Sequence, residues 1–419
     1  MKKTLSALLW LMLAVSMQAA NTKTLPASDK GVTYIGRIAV YADQSVSYDW
    51  VGTYLETDFT GGWIAADISE AGTSYHNVFI DGQLKEKICI TGSEKQRIVL
   101  AQNLSKGTHR LRLQKCTEGE NGCTTIHAIA VKPNGTLSPV ARPERMIEVY
   151  GDSYTCGYGT ESEKATDHFL LETENCNKAY GCIIARYFGA DYALVAHSGQ
   201  GMVRDYGDKE QLSKVNMSTR YTQVFDAHGT QPYSFSAYTP QLVIINLGTN
   251  DFSPTAIPTD EQYVGAYQRM IQHIKEMYKG VKILCVTPHS ANRYLTACID
   301  LLAKRIYGDP DVFMANPLTD IVTEARDMGA DWHPNYQGQK KIAMCLIPQI
   351  SAIMGSMTPE RVNLVSQFLA GVRSFRPVHA SAVSDDRPAS QGIEVGALTS
   401  YSATTQRVPA QGPLKPSRQ

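Results

Sequence analysis

The segment Pro240–Asp251, "PQLVIINLGTND", places a nearly unbroken apolar run directly before a polar turn. An apolar run without alternation predicts a strand buried on both faces, as in a parallel sheet. The other predicted strands are "MIEVY", "DYALVAHSG", "VKILCVTP" and "DVFMANP", and the longest predicted helices are "DEQYVGAYQRMIQHIKEMYKG" and "NYQGQKKIAMCLIPQISAIMG". Strands that alternate with helices predict a parallel sheet covered on both faces. Residues 145–356 are therefore expected to form a three-layer α/β/α domain.

Before this domain, the apolar residues are arranged in short runs typical of strands rather than helices. Between residues 27 and 140, short runs such as "GWIAADI", "KICITG" and "THRLRLQKC" are separated by Gly, Asp, Ser and Asn. This spacing, without any long helical period, predicts an all-β sandwich of the jelly-roll type. The turn "FIDG" is expected to join two of its strands as a hairpin.

Both ends of the chain are expected to lie outside these domains. Residues 1–20 combine two lysines, a short apolar run and small residues, which is typical of a signal peptide; a buried N-terminal helix is the alternative. The run is too short for a membrane span, and no cysteine follows it to carry a lipid, so an exported, soluble protein is expected. Beyond residue 357, "PERVNLVSQFLAGV" predicts one more helix, and residues 376–419 predict a disordered tail rich in Ser, Ala, Pro and Gln.

The charge balance argues against nucleic acid as a partner. The 419 residues include 40 basic and 40 acidic ones, whereas a nucleic-acid-binding surface needs excess positive charge. Among nine cysteines, Cys116 with Cys123 and Cys176 with Cys182 are close enough in sequence to suggest disulfides. Cys156 is either a buried thiol or a partner of Cys176 or Cys182. No spacing resembles a zinc site, so the sequence predicts no metal.

Polar and glycine residues follow three predicted strands directly and also precede the last predicted helix. In doubly wound sheets the carboxyl ends of the strands form one edge, and ligands bind there. We therefore expect four segments to lie together: "GDS" at 151–153, "SGQG" at 198–201, "GTND" at 248–251 and "DWHPN" at 331–335.

These four segments contain the groups that acyl transfer requires. Ser153 is the expected nucleophile, and a serine hydroxyl needs an adjacent base. His333 is the expected base, because imidazole titrates near neutral pH. Asp331 precedes it by two residues, so in an extended loop its carboxylate would point the same way and fix the ring tautomer. Taken alone, Ser153 is equally well explained as a helix cap, and His197 beside "SGQG" is a rival base.

A tetrahedral intermediate also needs hydrogen-bond donors for its oxyanion. The backbone N–H groups of Ser153 and Gly199 and the side-chain amide of Asn250 are the expected donors. Loss of one such donor typically costs about 3 kcal/mol of transition-state stabilisation.

The order Gly-Asp-Ser, glycine turn, Gly-x-Asn-Asp and late Asp-x-His resembles the SGNH (GDSL-like) hydrolases. Their four letters would here be Ser153, Gly199, Asn250 and His333. Over about residues 36–355 the chain is similar to carbohydrate esterase family two, through "LSKGTHRLRLQK", "TEGENG", "GDSYTCGYG", "SGQG", "NLGTNDFS" and "DWHPN".

This resemblance implies a serine esterase, without a cofactor, that removes O-acetyl groups from plant polysaccharides such as xylan or mannan. Some members of that family lack the aspartate, but the chain retains Asp331, which implies a full triad. Tyr158, Phe252 and Trp332 near the edge are candidates for a sugar-stacking platform, with loop packing as the alternative. Two other functions stay open: deacetylation of peptidoglycan or another glycan, and carbohydrate binding without catalysis.

Overall fold

The N-terminal strands form one antiparallel sheet. In the computed structural model, residues 22–355 are described. The ten strands are β1 (Lys23–Pro26), β2 (Thr33–Ile35), β3 (Ala39–Val40), β4 (Val46–Tyr48), β5 (Tyr54–Thr60), β6 (Ile64–Ile80), β7 (Gln83–Ala101), β8 (Thr108–Lys115), β9 (Gly122–Val131) and β10 (Leu137–Ser138). Their order is β10-β5-β8-β6-β9-β4-β3, with β1 on β9, β2 on β5 and β7 on β6. They enclose an apolar core that includes Phe59, Ile68 and Leu111, which confirms the predicted all-β part.

Two long strands, β6 and β7, replace what the sequence suggested as separate short runs. They are joined at Asp81 and Gly82, where "FIDG" predicted a hairpin turn. Their pairing shifts register at four points. Gly72 and Gly92, with φ of +115° and +100°, lie within these strands. A glycine inside a strand often marks a bulge, so these two glycines do not end the strands as a turn signal would suggest.

The C-terminal part is built on a five-stranded parallel sheet, as predicted. Its strands are β11 (Met146–Gly151), β12 (Asp191–Ala196), β13 (Leu242–Asn246), β14 (Lys282–Cys285) and β15 (Val312–Met314), in the order β12-β11-β13-β14-β15. The helices are α1 (Ser153–Cys156), α2 (Tyr180–Phe188), α3 (Met217–Arg220), α4 (Asp260–Met277), α5 (Arg293–Arg305) and α6 (Tyr336–Ile353). Helix α2 packs against α6, and α4 packs against α5. A two-stranded ribbon, β16 (Met328–Gly329) with β17 (His333–Pro334), precedes α6.

The strand register brings three strand ends to the same level. Gly151 at the end of β11 pairs with Ala196 of β12 on one side and with Asn246 of β13 on the other. The chain order reverses at β11, and open parallel sheets bind ligands at such a reversal. The segments that follow these three residues therefore begin at one edge of the sheet.

A buried ion pair joins the N-terminal sheet to the parallel sheet. Arg37 Nη2 donates to the Glu148 carboxylate at 3.0 Å, and neither side chain is more than 1% exposed. Arg37 also donates to the carbonyl oxygens of Tyr221 and Gln223 and lies 4.2 Å from the ring centre of Tyr233. A buried charge is tolerated only with such compensation. The pair fixes the N-terminal sheet against β11, the strand that leads to Ser153.

Three predicted segments lie outside the described residues: the signal peptide at 1–20, the helix at 359–372 and the tail at 376–419. Within residues 22–355, every helix is too short or too polar to cross a membrane.

Candidate active site

Ser153 is the first residue of α1, and its hydroxyl meets the ring of His333. Ser153 Oγ lies 2.9 Å from His333 Nε2, a distance suited to proton transfer. The cap of α1 is Asp152, whose carboxylate accepts from the Tyr154 N–H at 3.1 Å. Gly151 is required before it, because a Cβ there would lie 2.0 Å from Thr155 Oγ1. Asp152 therefore caps the helix, and the Ser153 hydroxyl is left available to His333.

The ring of His333 is held by its backbone neighbour and by two tyrosines. Nδ1 lies 3.2 Å from the main-chain oxygen of Asp331, so Nδ1–H donates there and Nε2 is left to accept a proton. The Tyr158 ring stacks on the imidazole at 4.1 Å, and Tyr154 meets it edge-on at 5.4 Å. Burial lowers the pKa of His333 below its ordinary 6.5. The imidazole is therefore neutral at pH 7, the form that a general base needs.

The carboxylate of Asp331 points away from His333. It accepts hydrogen bonds from three other donors: the Tyr158 hydroxyl at 2.8 Å, the Phe169 N–H at 3.1 Å and His168 Nδ1 at 3.4 Å. The expected carboxylate–imidazole contact is thus corrected to a contact through the backbone oxygen of the same residue. The prediction assumed an extended loop, but Asp331 and Trp332 have φ of +49° and +62°. Left-handed backbone breaks the alternation on which the prediction rested.

The loops after β12 and β13, which carry Gly199 and Asn250, are hydrogen-bonded to each other. Asn250 Nδ2 donates to the Gln200 carbonyl at 2.9 Å, which uses one of its two amide protons. The Asp251 carboxylate accepts from the N–H groups of Met202, Val203 and Arg204 at 2.7 to 3.0 Å. Gly201 makes room for this carboxylate, since a Cβ there would lie 2.3 Å from Asp251 Oδ2. We name residues 198–204 the oxyanion loop; nothing in the sequence indicated that Asp251 holds it.

Comparison with known proteins agrees with this geometry. The carbohydrate esterase 2 N-terminal model matches residues 34–140, and the GDSL-like lipase/acylhydrolase model matches residues 149–341. The chain thus consists of a carbohydrate esterase 2 N-terminal domain followed by a GDSL-like hydrolase domain. It is 28% identical over 344 residues to the cellulase/esterase CelE of Acetivibrio thermocellus, covering 80% of this chain but only 41% of CelE. It is also 28% identical over 367 residues to an acetylxylan esterase/glucomannan deacetylase of Cellvibrio japonicus, covering 82% of this chain and 96% of that protein.

A solved structure of a family two carbohydrate esterase from Clostridium thermocellum, in complex with cellohexaose, has the same architecture. It aligns with a TM-score of 0.72 at 27% identity, covering 78% of this chain and 100% of that chain. The N-terminal antiparallel sheet followed by the SGNH domain is thus shared with a family two carbohydrate esterase, and this chain is a serine esterase of the SGNH type.

The three aromatic residues expected to form a sugar platform have different environments in this esterase. Tyr158 is packed between His333 and Phe169, whose ring it stacks on at 4.1 Å, so it holds the base rather than a sugar. Phe252 is 5% exposed and packs edge-on against Tyr263, which corrects it to a core residue. Trp332 is 62% exposed and stays a candidate.

Tyr206 is an exposed aromatic residue of the esterase that the sequence did not single out. It is 68% exposed, and its N–H donates to the Gly199 carbonyl at 2.7 Å. It therefore lies beside the oxyanion loop, whereas Trp332 lies beside His333. Its only sequence signal was its position seven residues after Gly199, which no motif marks.

His197, the rival base, is engaged elsewhere in the esterase. Its Nδ1 lies 2.8 Å from Asp226 Oδ1. Although burial acts in the opposite direction, the Asp226 carboxylate raises the pKa of His197 to about 9, so the ring is charged at neutral pH. A charged imidazole cannot accept the proton of Ser153, so His197 is excluded and His333 stays the candidate base.

The expected disulfides are not formed in the structure. Cys116, Cys123, Cys156, Cys176 and Cys182 all carry free thiols. Cys116 Sγ contacts the Gln114 carbonyl at 3.8 Å, and Cys123 Sγ contacts the Tyr48 carbonyl at 3.7 Å, so neighbours in sequence point to different partners.

Among residues 22–355, one group of metal-binding side-chain types is close together in space: Glu118, Cys156 and Glu174, with donor atoms within 4.8 Å of one another. These three residues are far apart in sequence, so no spacing motif marks them. Glu118 and Cys156 are hydrogen-bonded to each other, and we assign no ion to the group.

Replacing Asp331 by asparagine is expected to lower kcat/KM by less than about tenfold. The acceptor for His333 Nδ1 is a backbone oxygen that the substitution retains, whereas loss of a ring-orienting carboxylate costs about 10⁴-fold in triad enzymes. Steady-state hydrolysis of an aryl acetate measures this, with Tyr158→Phe as the matched variant that removes the other end of the hydrogen bond. A loss of kcat/KM of a thousandfold or more in Asp331→Asn would contradict this prediction and would indicate that the Asp331 carboxylate orients His333 after all.

The kcat/KM of the esterase is expected to fall on the acid side with a midpoint below pH 6.5. Burial lowers the pKa of His333, and protonation of this ring removes the base. The negative charge of Asp331 acts in the opposite direction, so Asp331→Asn should move the midpoint further down. A pH–rate profile of both proteins tests this, and a midpoint that rises in the variant would contradict it.

Proposed function

We propose that this esterase removes O-acetyl groups from plant polysaccharides of the xylan or mannan type through an acetyl-Ser153 intermediate. The observation that carries the mechanism is the 2.9 Å contact between Ser153 Oγ and a His333 ring whose other nitrogen is already held. The coarser function, carbohydrate deacetylation, is supported by the relatives.

The reaction proceeds in two acyl-transfer steps. Ser153 Oγ attacks the acetyl carbonyl while His333 Nε2 takes its proton, and the oxyanion accepts from Ser153 N–H, Gly199 N–H and the Asn250 amide. His333 then returns the proton to the sugar oxygen as the C–O bond breaks, which releases the alcohol. A water molecule, deprotonated by His333, then attacks the carbonyl carbon of the acetyl-serine. The bond from Ser153 Oγ to the acetyl group breaks, His333 returns the proton to Oγ, and acetate is released.

The proposed substrate class is supported by the relatives and by the exposed edge of the site. The Cellvibrio japonicus relative is named an acetylxylan esterase/glucomannan deacetylase, and the Clostridium thermocellum structure contains cellohexaose. Trp332 and Tyr206 offer exposed aromatic rings next to the base and the oxyanion loop. Aromatic faces of this kind suit the apolar faces of pyranose rings. We also propose export of the protein, on the pattern of residues 1–20.

Replacing Trp332 by alanine is expected to raise KM for acetylated polysaccharide about tenfold, with kcat within about threefold, because a stacking ring binds ground state and transition state alike. Hydrolysis of a small aryl acetate, which has no sugar to stack, should change little. Tyr307→Ala is the matched control, since Tyr307 is 92% exposed and lies beyond the end of α5. Equal effects on polysaccharide and aryl acetate would contradict a sugar platform.

The experiment that tests the function is acetate release from a panel of acetylated glycans. Acetylated xylan and glucomannan are the expected substrates, with Ser153→Ala as the inactive control. Release of acetate from peptidoglycan alone would instead indicate that the protein is a peptidoglycan deacetylase, which is one of the alternatives that the sequence left open. Binding of the polysaccharides without any acetate release would leave only the non-catalytic function.

A further inference from the structure

A buried pair of carboxyl groups lies where the N-terminal sheet meets the oxyanion loop. Glu118 belongs to the turn between β8 and β9, and Glu174 lies in the segment between α1 and α2. Both side chains are fully buried. One oxygen of each carboxyl group and the Cys156 sulfur lie within 4.8 Å of one another, and the Glu118 N–H donates to Glu174 Oε2 at 3.4 Å.

One oxygen of Glu118 links the two segments that carry the chemistry. Glu118 Oε2 accepts from the Ser198 N–H at 2.6 Å and from the Cys156 thiol at 3.4 Å. Ser198 directly precedes Gly199, and Cys156 is the last residue of α1, which begins with Ser153. A side chain from the N-terminal sheet thus holds both the oxyanion loop and the nucleophile helix.

The other oxygens of the pair require a proton. Within the described residues, Glu118 Oε1 and Glu174 Oε1 have no hydrogen-bond donor. Two carboxylates this close and this deeply buried cannot both be charged without a cation between them. One proton shared by the pair gives both oxygens a partner. In agreement, burial and then the charge of Glu118 raise the pKa of Glu174 well above its ordinary value.

The nearby cations are engaged by other carboxylates. His197 and Arg220 pair with Asp226 at 2.8 and 3.2 Å, and Lys87 pairs with Glu161 at 2.6 Å. Other titratable groups that face the pair carry no positive charge; they include Glu120, Asp152, Tyr158 and the thiols of Cys116, Cys156 and Cys176. Because these surroundings offer no free cation among the described residues, we expect a proton to neutralise one of the two carboxylates of the Glu118–Glu174 pair.

We propose that Glu118 is a positioning residue for the oxyanion hole, and that it is held in place by a proton shared with Glu174. The N-terminal sheet thereby contributes directly to catalysis by fixing the N–H of Gly199. This inference rests on the proposed acetyl-serine mechanism, in which Gly199 is an oxyanion donor.

Replacing Glu118 by leucine tests the positioning function. Without an acceptor for the Ser198 N–H, kcat for an aryl acetate is expected to fall about 10- to 100-fold, with KM within about threefold. Glu118→Gln keeps an acceptor oxygen and should restore kcat to within about threefold of wild type. The matched control is Glu70→Gln, a fully buried carboxylate that bonds Ser74 and Thr124 of the N-terminal sheet. It is expected to lower Tm while kcat of the folded protein stays within about twofold.

Replacing Glu174 by glutamine tests the shared proton. Unfolding of the wild type releases a proton above about pH 4.5, because the folded state keeps a proton that the unfolded Glu174 has lost. Wild-type stability therefore falls with rising pH relative to the variant, whose amide needs no proton. The Tm difference in favour of Glu174→Gln should grow as the pH rises above about 4.5, and kcat at neutral pH should be retained.

Each result separates this inference from the proposed mechanism. Wild-type inactivity, or full activity of Ser153→Ala, would overturn the mechanism itself. An active wild type together with unchanged kcat in Glu118→Leu would overturn only the positioning function. A Tm difference independent of pH would overturn the shared proton, as would one equivalent of Zn²⁺ retained by the purified wild type and lost in Cys156→Ser.

Discussion

Replacing Ser153 by alanine is expected to lower kcat for acetyl ester hydrolysis by about 10⁴-fold or more. The hydroxyl is the only group within 3 Å of His333 Nε2 in the described structure that is able to form an acyl intermediate. Without it, the oxyanion donors and binding alone give only a residual acceleration over water. Release of 4-nitrophenol from its acetate, together with a mass spectrum of the quenched enzyme, measures both the rate and the acetyl adduct.

The same substitution is expected to leave the fold intact. The helix cap is the Asp152 carboxylate, and Ser153 has no other side-chain partner than His333 among the hydrogen bonds described above. Tm of Ser153→Ala should therefore stay close to that of wild type. His333→Ala should be about as inactive, and the double variant no worse, because nucleophile and base act as one unit. An acetyl adduct in Ser153→Ala would point to another nucleophile.

The fold and the centre of the site could be predicted because they depend on local sequence and on one topological rule. Apolar runs specify the parallel strands, and parallel strands bring their carboxyl ends to one edge. That rule predicted that the segments carrying Ser153, Gly199 and Asn250 lie together at one edge. His333 precedes the last predicted helix, and its chemistry and the resemblance to the SGNH hydrolases assigned it to the same site.

The parts that could not be predicted depend on single backbone conformations. The expected Asp331 triad failed because two successive residues adopt left-handed φ values, which nothing in "DWHPN" indicates. Tyr158 was assigned to the sugar because it is aromatic and close to the edge, whereas its contacts are with His333 and Phe169. Sequence position gives the neighbourhood of a side chain but not the direction in which it points.

Glu118 was missed for a different reason. It comes from the N-terminal sheet, about 80 residues before the loop that it holds, and its segment "TEGENG" looks like a polar turn. Only the docking of the N-terminal sheet on the parallel sheet, fixed in part by the buried Arg37–Glu148 pair, brings it under Ser198. Long-range contacts of this kind leave no periodic signal in either segment.

Replacing Asn250 by alanine is expected to lower kcat about 10²- to 10³-fold with little change in KM. One amide proton of Asn250 is used by the Gln200 carbonyl, and the other is the proposed donor to the oxyanion. The ground-state carbonyl is a weak acceptor, whereas the tetrahedral oxygen carries a full charge, so the donor acts mainly in the transition state.

Two further variants separate the donor from its structural contact. Asn250→Asp keeps the size but replaces the donor by a negative charge, so kcat should fall at least as far as in Asn250→Ala. Thr249→Ala is the neighbouring control, because the Thr249 hydroxyl contacts Ser290 at 3.1 Å rather than the site. This variant should change kcat by no more than about twofold. If Asn250→Ala raised KM and left kcat unchanged, the amide would be a substrate-binding group, and the oxyanion would depend on the backbone N–H groups of Ser153 and Gly199 alone. The proposed Glu118 effect would then be larger than that of Asn250, because the Gly199 donor would carry more of the stabilisation.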